Sequence, residues 1–289
     1  MPILNVPANP VSTIALSKPI AEVALSPDGA VFNLPTPPTA TTPTFGLFNL
    51  PEKGKYSFIE ADVTTVNLEK IFDDVFFQNL SEIKIKGRGN STWTYPKKPF
   101  QIKFSEKKNI LGMSEDKKWI LLANFIDKSH LRNMTSFKFG LISKLDWTPD
   151  SKFVELYFND ENLGVYQISQ KVEESNNRVN IGNNGYLIEV DQLSRLDNDD
   201  VYFETSNYLF NIKEPKLEKG DSKYNLIKDY VQLSENILFS NNFMDPNIGY
   251  ANYFDVESFV DWYIINEITK NDDAIFYSSV YMNYVDGGK

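Results

Sequence analysis

Alternating hydrophobic and polar residues mark several strands in the first half of the chain. Apolar residues occupy every second position at 83–86 and at 100–104, which is the pattern of strands with one buried face. A continuous apolar run at 119–123 predicts a buried strand or a short core segment. Two apolar segments within 154–168 flank the turn sequence Asn-Asp-Glu-Asn, which predicts a hairpin, and another strand is predicted at 185–190.

The second half of the chain changes to the period of a helix. Residues 221–238 carry apolar side chains at helical spacing after an aspartate that predicts the N-cap. A further helix is expected to begin at Asp255 and to bury Val256, Phe259, Val260, Tyr263 and Ile264. One earlier helix is expected after Asp127 or Ser129, and a last strand is expected at 275–285.

The order of these elements predicts an α+β fold, with strands first and helices second. We expect an extended Pro-rich arm at 1–50, a strand-rich lobe at 51–190 and a helical lobe at 191–289. The arm repeats the phrase Phe-Asn-Leu-Pro at 32–35 and 48–51, and it is either a flexible tail or a segment that docks on a partner. A strand-rich lobe followed by a helical lobe is the outline of a protein kinase, although many α+β domains share it.

The composition excludes several kinds of site. The 289 residues include no cysteine, which excludes disulfides, thiolate metal sites and a cysteine nucleophile. Asp and Glu (39) outnumber Lys and Arg (29), and the resulting charge of −10 disfavours general binding to nucleic acid or to an anionic membrane. The sequence shows no secretion signal and no apolar run of the length that a bilayer span needs.

A basic hairpin contrasts with this acidic background. Two alternating strands enclose a loop rich in Gly, Asn and Ser at 87–93, and Glu106 is the only acidic residue between residues 84 and 108. Glycines let backbone N–H groups approach an anion closely. Positive charge is added by Arg88, Lys97, Lys98 and Lys103. The combination is typical of phosphate binding, but an exposed hairpin with ordinary lysines has the same pattern.

A second polar segment, Asn-Glu-Ile-Thr-Lys-Asn-Asp-Asp at 266–273, follows a predicted helix. In such a loop Asn271 and Asp273 can position a hydroxyl group, accept its proton and help to hold Mg²⁺. A helix C-terminus followed by an Asx-rich turn is the more ordinary interpretation of the same residues.

Taken together and in this order, the motifs resemble the CotH (spore-coat protein H) kinase family. The resemblance spans about residues 80–285. The matching segments are 86–93, 97–104, 119–124, 131–133, 153–156, 164–166, 178–181, 185–191, 212–215 and 259–273. Each motif is modest alone, whereas the whole set in a fixed order is hard to obtain by chance.

The family implies a two-lobed, protein-kinase-like fold that binds ATP with Mg²⁺ and phosphorylates serine on partner proteins. The residues that the resemblance assigns to the nucleotide are Gly87, Arg88, Gly89, Asn90, Lys97, Lys98, Lys103 and Glu189. The last of these leads towards the hinge beside adenine. Asp273 takes the position of the catalytic aspartate, and the implied metal ligands are Asn271, Asp273 and Ser279.

Two departures from the family pattern bear on activity. Gln170 stands where the family usually has a glutamate that can pair with a lysine. The family also continues beyond the final turn into a Trp-Asp-Phe-Asp type motif whose aspartate holds the metal, and the sequence ends at Lys289, before that motif. The resemblance therefore implies an incomplete helical lobe and leaves catalysis by this chain open.

Two functions from different classes stay open. The first is a protein serine kinase that uses ATP; the second is a kinase-like structural or assembly protein of a spore coat or virion, anchored to its partner by residues 1–50. We expect a location in the cytoplasm or within such a particle. A sugar-active enzyme is least favoured, because adjacent carboxylates such as Asp272 and Asp273 do not form the opposed pair that glycosidic cleavage needs.

Overall fold

The computed structural model of the chain describes residues 2–3, 44–48, 59–67, 76–158 and 161–285. These residues form an α+β structure, which confirms the predicted class. The chain divides into two compact units. The closed-sheet unit comprises Ala8–Arg132 and Asp150–Lys171, and the helical unit comprises Met1–Pro7, Asn133–Pro149 and Val172–Lys289. The lobe boundaries expected at residues 50 and 190 stay predictions.

The described residues contain twelve strands and three α-helices. The strands are β1 (Pro2–Ile3), β2 (Thr44–Phe48), β3 (Ile59–Asn67), β4 (Phe76–Gly87), β5 (Phe100–Lys108), β6 (Asp116–Leu122), β7 (Ser151–Phe158), β8 (Glu161–Gln170), β9 (Tyr186–Asp191), β10 (Val201–Glu204), β11 (Leu209–Glu214) and β12 (Val280–Tyr284). The helices are α1 (Arg132–Ile142), α2 (Ser222–Leu238) and α3 (Val256–Thr269).

The sheet of the closed-sheet unit runs in the order β2-β3-β4-β5-β6-β8-β7 and closes because β2 pairs in parallel with β7. Its other strand pairs are antiparallel. Alternate residues of the strands fill its interior: Ile83, Ile85, Ile102, Phe104, Trp119, Leu121, Val154, Leu156, Tyr166 and Ile168. The alternation predicted this for β4 and β5. β7 and β8 pair as the expected hairpin, and the two turn residues at 159–160 lie outside the described residues.

The sheet of the helical unit is antiparallel and runs in the order β1-β12-β9-β11-β10. One face of this sheet forms an apolar core with α2 and α3. The buried residues of that core include Ile188, Val190, Phe203, Phe210, Ile212, Ile227, Trp262, Ile265 and Val280. No helix within the described ranges is both long and apolar enough to cross a membrane.

The buried face of α3 differs from the one that the periodicity predicted. Asp255 caps the helix as expected, because its side chain accepts hydrogen bonds from two backbone N–H groups of the first turn. The buried residues, however, are Ser258, Trp262, Ile265 and Asn266. Three residues predicted to be inward, Val260, Tyr263 and Ile264, are 47%, 60% and 45% exposed. The helix carries apolar residues around its whole circumference, so the period alone cannot select the buried face.

The last strand is shorter than expected. The prediction covered 275–285, whereas β12 comprises Val280–Tyr284. Phe276 and Ser279 have positive φ angles of 56° and 61°, which belong to the left-handed region and not to a strand. The segment before β12 is therefore a turn.

The start of α1 depends on Asp127, one of the two predicted caps. Its Oδ2 atom accepts the backbone N–H of Arg132 at 2.9 Å, and its Oδ1 atom accepts the N–H of Ser129 at 3.1 Å and the hydroxyl of Ser129 at 2.7 Å. Asp221 precedes α2 as predicted, but its side chain makes no capping hydrogen bond and accepts the N–H of Glu218 instead. The sequence pattern located both starts, and only one of the two carboxylates caps.

We predict that Asp127→Ala lowers the free energy of unfolding by about 1–2 kcal/mol, because the backbone N–H of Arg132 at the start of α1 and that of Ser129 in the preceding turn lose their acceptor. Urea denaturation followed by circular dichroism measures the loss. Ser129→Ala is the matched control and should cost less, since the Ser129 hydroxyl accepts only the Leu131 N–H, at 3.1 Å. Equal losses for the two variants would contradict the capping role of Asp127.

Candidate nucleotide and metal site residues

The loop after β4 is shaped by two glycines and a tryptophan. Gly87 is buried at the end of β4, and a Cβ atom there would lie 2.3 Å from a ring carbon of Trp93. Gly89 has a φ of +83°, a conformation that side-chain-bearing residues rarely adopt. The N–H of Arg88 donates to the carbonyl of Pro99 at 3.2 Å, which folds the loop back onto the start of β5. The glycine at 87 is therefore required by the tryptophan ring, whether or not an anion binds.

Two lysines after the loop connect it to the sheet. The Nζ atom of Lys98 donates to the carbonyl of Trp93 at 2.6 Å. The Nζ atom of Lys97 donates to the carbonyl of Val165 at 2.5 Å and lies 4.4 Å from the centroid of the Tyr166 ring. The Tyr166 hydroxyl in turn donates to the carbonyl of Lys98 at 2.9 Å. Because an ammonium group has three donors, each lysine still has N–H groups that can contact an anion.

Burial changes the ionisation of this region of the closed-sheet unit. It lowers the pKa of Lys97 to about 8 and raises the pKa of the Tyr166 hydroxyl. The pKa of His130 is lowered by burial first and then by the positive charge of Lys97, against the opposing charge of Asp127. Lys97 is therefore the basic group of the loop whose charge is most sensitive to its surroundings.

Lys103 lies further along β5 and outside the core of the closed sheet. In the strand register it is directly opposite Lys84 on β4 and Lys118 on β6. These three lysines form a row across β4, β5 and β6, and the register puts Glu60 of β3 opposite Lys84 at the end of that row. The structure thus groups Lys97 and Lys98 with the loop and puts Lys103 in the lysine row.

The predicted residues Glu189, Asn271, Asp273 and Ser279 belong to the helical unit, whereas Asn90 lies in the loop after β4, where its carbonyl accepts the Trp93 N–H at 3.2 Å. Glu189 lies in the middle of β9 and is 6% exposed. Its carboxylate pairs with Lys213 at 3.3 Å, and Lys213 also lies 3.8 Å from a carboxylate oxygen of Asp200. Burial raises the pKa of Glu189, while the charge of Lys213 and a hydrogen bond with Tyr281 oppose the rise. These contacts give Glu189 a structural role within the sheet, and its role beside adenine stays a prediction.

The loop after α3 is attached to the end of that helix. Lys270 ends the helix in the left-handed conformation with a φ of 51°. The side-chain amide of Asn271 donates to the Oδ1 atom of Asn266 at 2.8 Å, and the Asn271 backbone N–H donates to the Asn266 carbonyl at 3.0 Å. Asp273 is exposed two residues later, and Ser279 directly precedes β12. The loop therefore contains a side-chain amide held by a hydrogen bond, that of Asn271, and an exposed carboxylate, that of Asp273.

These residue types fit a magnesium ion that is shared with a nucleotide. The Asn271 NH₂ group is used on Asn266, so the amide oxygen is the atom that would face a metal. Mg²⁺ is commonly held by one or two carboxylates together with substrate phosphates, which Asp273 and ATP would supply. Across the described ranges, no group of three or more His, Asp or Glu side chains is arranged to hold a metal ion by itself.

Gln170, at the position where a glutamate was expected, is 3% exposed. Its Oε1 atom accepts the backbone N–H of Asp150 at 2.9 Å, and its own N–H donates to the carbonyl of Asp150 at 3.1 Å. The side chain and the backbone of Gln170 therefore both join the end of β8 to the residue before β7 and contribute to the closed sheet.

Comparison with known protein families decides the affiliation of the chain. The family model for CotH, described as CotH kinase protein, matches residues 85–289. The chain belongs to the CotH kinase family. The matched region contains every residue predicted for the nucleotide, the catalytic step and the metal. No curated protein matches the chain. CotH membership associates the chain with kinases and thus with transferases that use ATP and a metal.

The sequence did not identify the residues that hold the predicted site residues in place. Tyr166 and Val165 lie 68 residues from their lysine partners, so no local pattern connects them. Lys213 and Asn266 both lie within segments that match the family. Their partners, Glu189 and Asn271, are identified only from the pairing of the strands and from the end of α3. Pairing between distant segments is the signal that a single sequence lacks.

We predict that Gly87→Ala destabilises the chain by about 1–3 kcal/mol, because the added methyl group overlaps the Trp93 ring. Thermal and urea unfolding measure the effect. The double variant Gly87→Ala/Trp93→Leu should lose less stability than the sum of the two single variants, since the smaller side chain vacates the space. Strict additivity of the two single losses would show that the ring does not impose the glycine.

We predict a pH signature for Lys97. Its pKa is about 8 in the folded chain and about 10.4 in an unfolded chain, so the unfolded chain binds more protons between these values. Stability relative to Lys97→Met should therefore rise as the pH increases from about 8 to about 10. Urea unfolding at both pH values tests this, with the exposed Lys152→Met as control for the loss of one lysine. A difference that does not vary with pH would refute the burial effect.

Proposed function

We propose that this member of the CotH kinase family is a protein serine kinase domain that transfers the γ-phosphoryl group of ATP to a serine of a partner protein. The family match across residues 85–289 is the observation that carries the proposal. A two-lobed kinase-like arrangement, with a strand-rich N-lobe and a helical C-lobe, is part of it. So are the attachment of a partner protein or assembly through residues 1–50 and a location in the cytoplasm or within a spore coat or virion.

The basic loop, which is residues 87–93 together with Lys97 and Lys98, is assigned to the phosphates of ATP. Backbone N–H groups of the segment at 87–90, together with the Arg88 side chain, would contact the phosphate oxygens. Lys97 and Lys98 support this role, because hydrogen bonds hold both ammonium groups close to the loop and leave further donors on each. Lys103 adds positive charge from the neighbouring row. Glu189 is assigned to the adenine side.

The acidic loop, which connects α3 to β12, is assigned to the chemical step. The serine hydroxyl attacks the γ-phosphorus, the bond to the oxygen that bridges the β- and γ-phosphates breaks, and ADP leaves. Asp273 positions the hydroxyl and accepts its proton, a role that its exposed carboxylate supports. Asn271, Asp273 and Ser279 would hold Mg²⁺, which neutralises the charge on the transferred group.

We predict that Asp273→Asn lowers phosphoryl transfer at least about 100-fold, because the hydroxyl loses its proton acceptor. Incorporation of label from γ-labelled ATP into serine, read by autoradiography and mass spectrometry, measures the rate with and without EDTA. The neighbouring exposed Asp272→Asn is the matched control and should change the rate less than about threefold.

Thermal unfolding with ATP and Mg²⁺ separates binding from transfer. Asp273→Asn should retain much of the stabilisation by nucleotide, whereas Lys98→Met should reduce it, because Lys98 is assigned to the phosphates. A chain that gains no stability from ATP with Mg²⁺ and transfers no label would refute the kinase proposal and favour a kinase-like structural protein.

A further inference from the structure

An apolar cavity of about 280 Å³ lies within the helical unit, between the five-stranded sheet and the helical segments. More than half of the side chains that line it are aromatic. The rings of Tyr230 and Tyr284 lie 4.6 Å apart between centroids, and those of Tyr208 and Phe276 lie 5.8 Å apart. The cavity is slightly smaller than the roughly 300–1,000 Å³ of pockets for drug-sized molecules, so it fits a small ligand.

A single charged residue, Glu235 on α2, lines this aromatic cavity. Glu235 is 6% exposed. Its Oε1 atom accepts the side-chain amide of Asn207 at 2.6 Å, and its Oε2 atom accepts the hydroxyl of Thr205. These neutral donors orient the carboxylate but do not compensate its charge, and an ionised carboxylate accepts more than two hydrogen bonds. A buried charge without an opposite charge is costly.

Among the described residues, no lysine or arginine pairs with the Glu235 carboxylate or with the rings that line the cavity. Neither lysine nor arginine lines the cavity, and Glu235 takes part in no ion pair with another described residue. The cation–π contacts of the described lysines and arginines involve Trp93, Tyr166, Tyr202 and Tyr277, none of which lines the cavity. The cavity is thus lined by aromatic rings and by one carboxylate without a positive partner among the described residues.

We propose that this cavity binds a small organic cation, namely a quaternary or tertiary ammonium group on an apolar body. The faces of aromatic rings attract cations through their quadrupole, and several rings around one carboxylate are the means by which proteins recognise quaternary ammonium groups. The apolar body of the ligand would contact the aliphatic part of the lining, which includes Ile188, Val231 and Met282. No residue assigned to phosphoryl transfer lines the cavity, although Phe276 of the lining belongs to the loop that carries Asp273 and Ser279, and the proposal does not depend on that function.

Choline and its uncharged isostere, in which carbon replaces the nitrogen, are matched probes. Isothermal titration calorimetry on the full chain should show choline binding at least about tenfold more tightly than the isostere. Glu235→Gln retains the size of the side chain and should remove most of this preference. Asp229→Asn removes an exposed charge from the same helix and should leave the affinity for choline unchanged.

Equal affinities for choline and the isostere would overturn the proposal and indicate an apolar cavity without charge selectivity. Failure of both probes to bind the folded chain would overturn it as well, as would undiminished choline binding by Glu235→Gln. If circular dichroism shows that Glu235→Gln does not fold, Phe254→Leu provides the second measurement. This variant removes one lining ring and keeps the carboxylate, so it should weaken choline binding at least about threefold more than it weakens binding of the isostere.

Discussion

Two hydrogen bonds hold the basic loop on the closed sheet, and the candidate phosphate site depends on them. The Lys97 ammonium donates to the carbonyl of Val165, and the Tyr166 hydroxyl donates to the carbonyl of Lys98. Together they tie the segment before β5 to β8. Without this connection the two lysines would lie on a hairpin with freely moving side chains. With it, two positive charges are held beside a loop whose shape is already restricted by Gly87 and Trp93.

Buried polar groups in both units are paired mainly by neighbours that keep the fold in register. Glu189 is paired with Lys213 across adjacent strands, and Gln170 joins β8 to the residue before β7. Asp127 accepts the N–H of Arg132 at the start of α1 and that of Ser129 in the turn before it. Glu235 differs, because its hydrogen-bond donors are neutral and it lines a largely aromatic cavity. A buried charge that the fold leaves uncompensated indicates a ligand more strongly than one that the fold has paired.

The α+β class and many of the elements could be predicted from the sequence, whereas β10, β11 and the closure of the sheet were not, and the candidate site could be predicted only in part. Strict alternation located β4 and β5, because each of these strands buries one face in the closed sheet. The glycine-rich loop and the Asn271–Asp273 segment were found from residue types alone. The buried face of α3 was predicted wrongly, since apolar residues surround that helix and packing on the sheet selects Trp262 and Ile265. Tyr166 was missed because its partner lies 68 residues away.

The sequence by itself determined the element types, the basic and acidic loops and the membership in the CotH kinase family, since each of these depends on residue type and order. Only the tertiary structure decided that Lys97 is buried against Tyr166, that Glu189 is neutralised by Lys213, and that Glu235 faces an aromatic cavity. The physical reason is the same in each case. Burial and pairing depend on which distant segments come into contact, and those contacts set the charge and the accessibility of a side chain whose identity the sequence already contains.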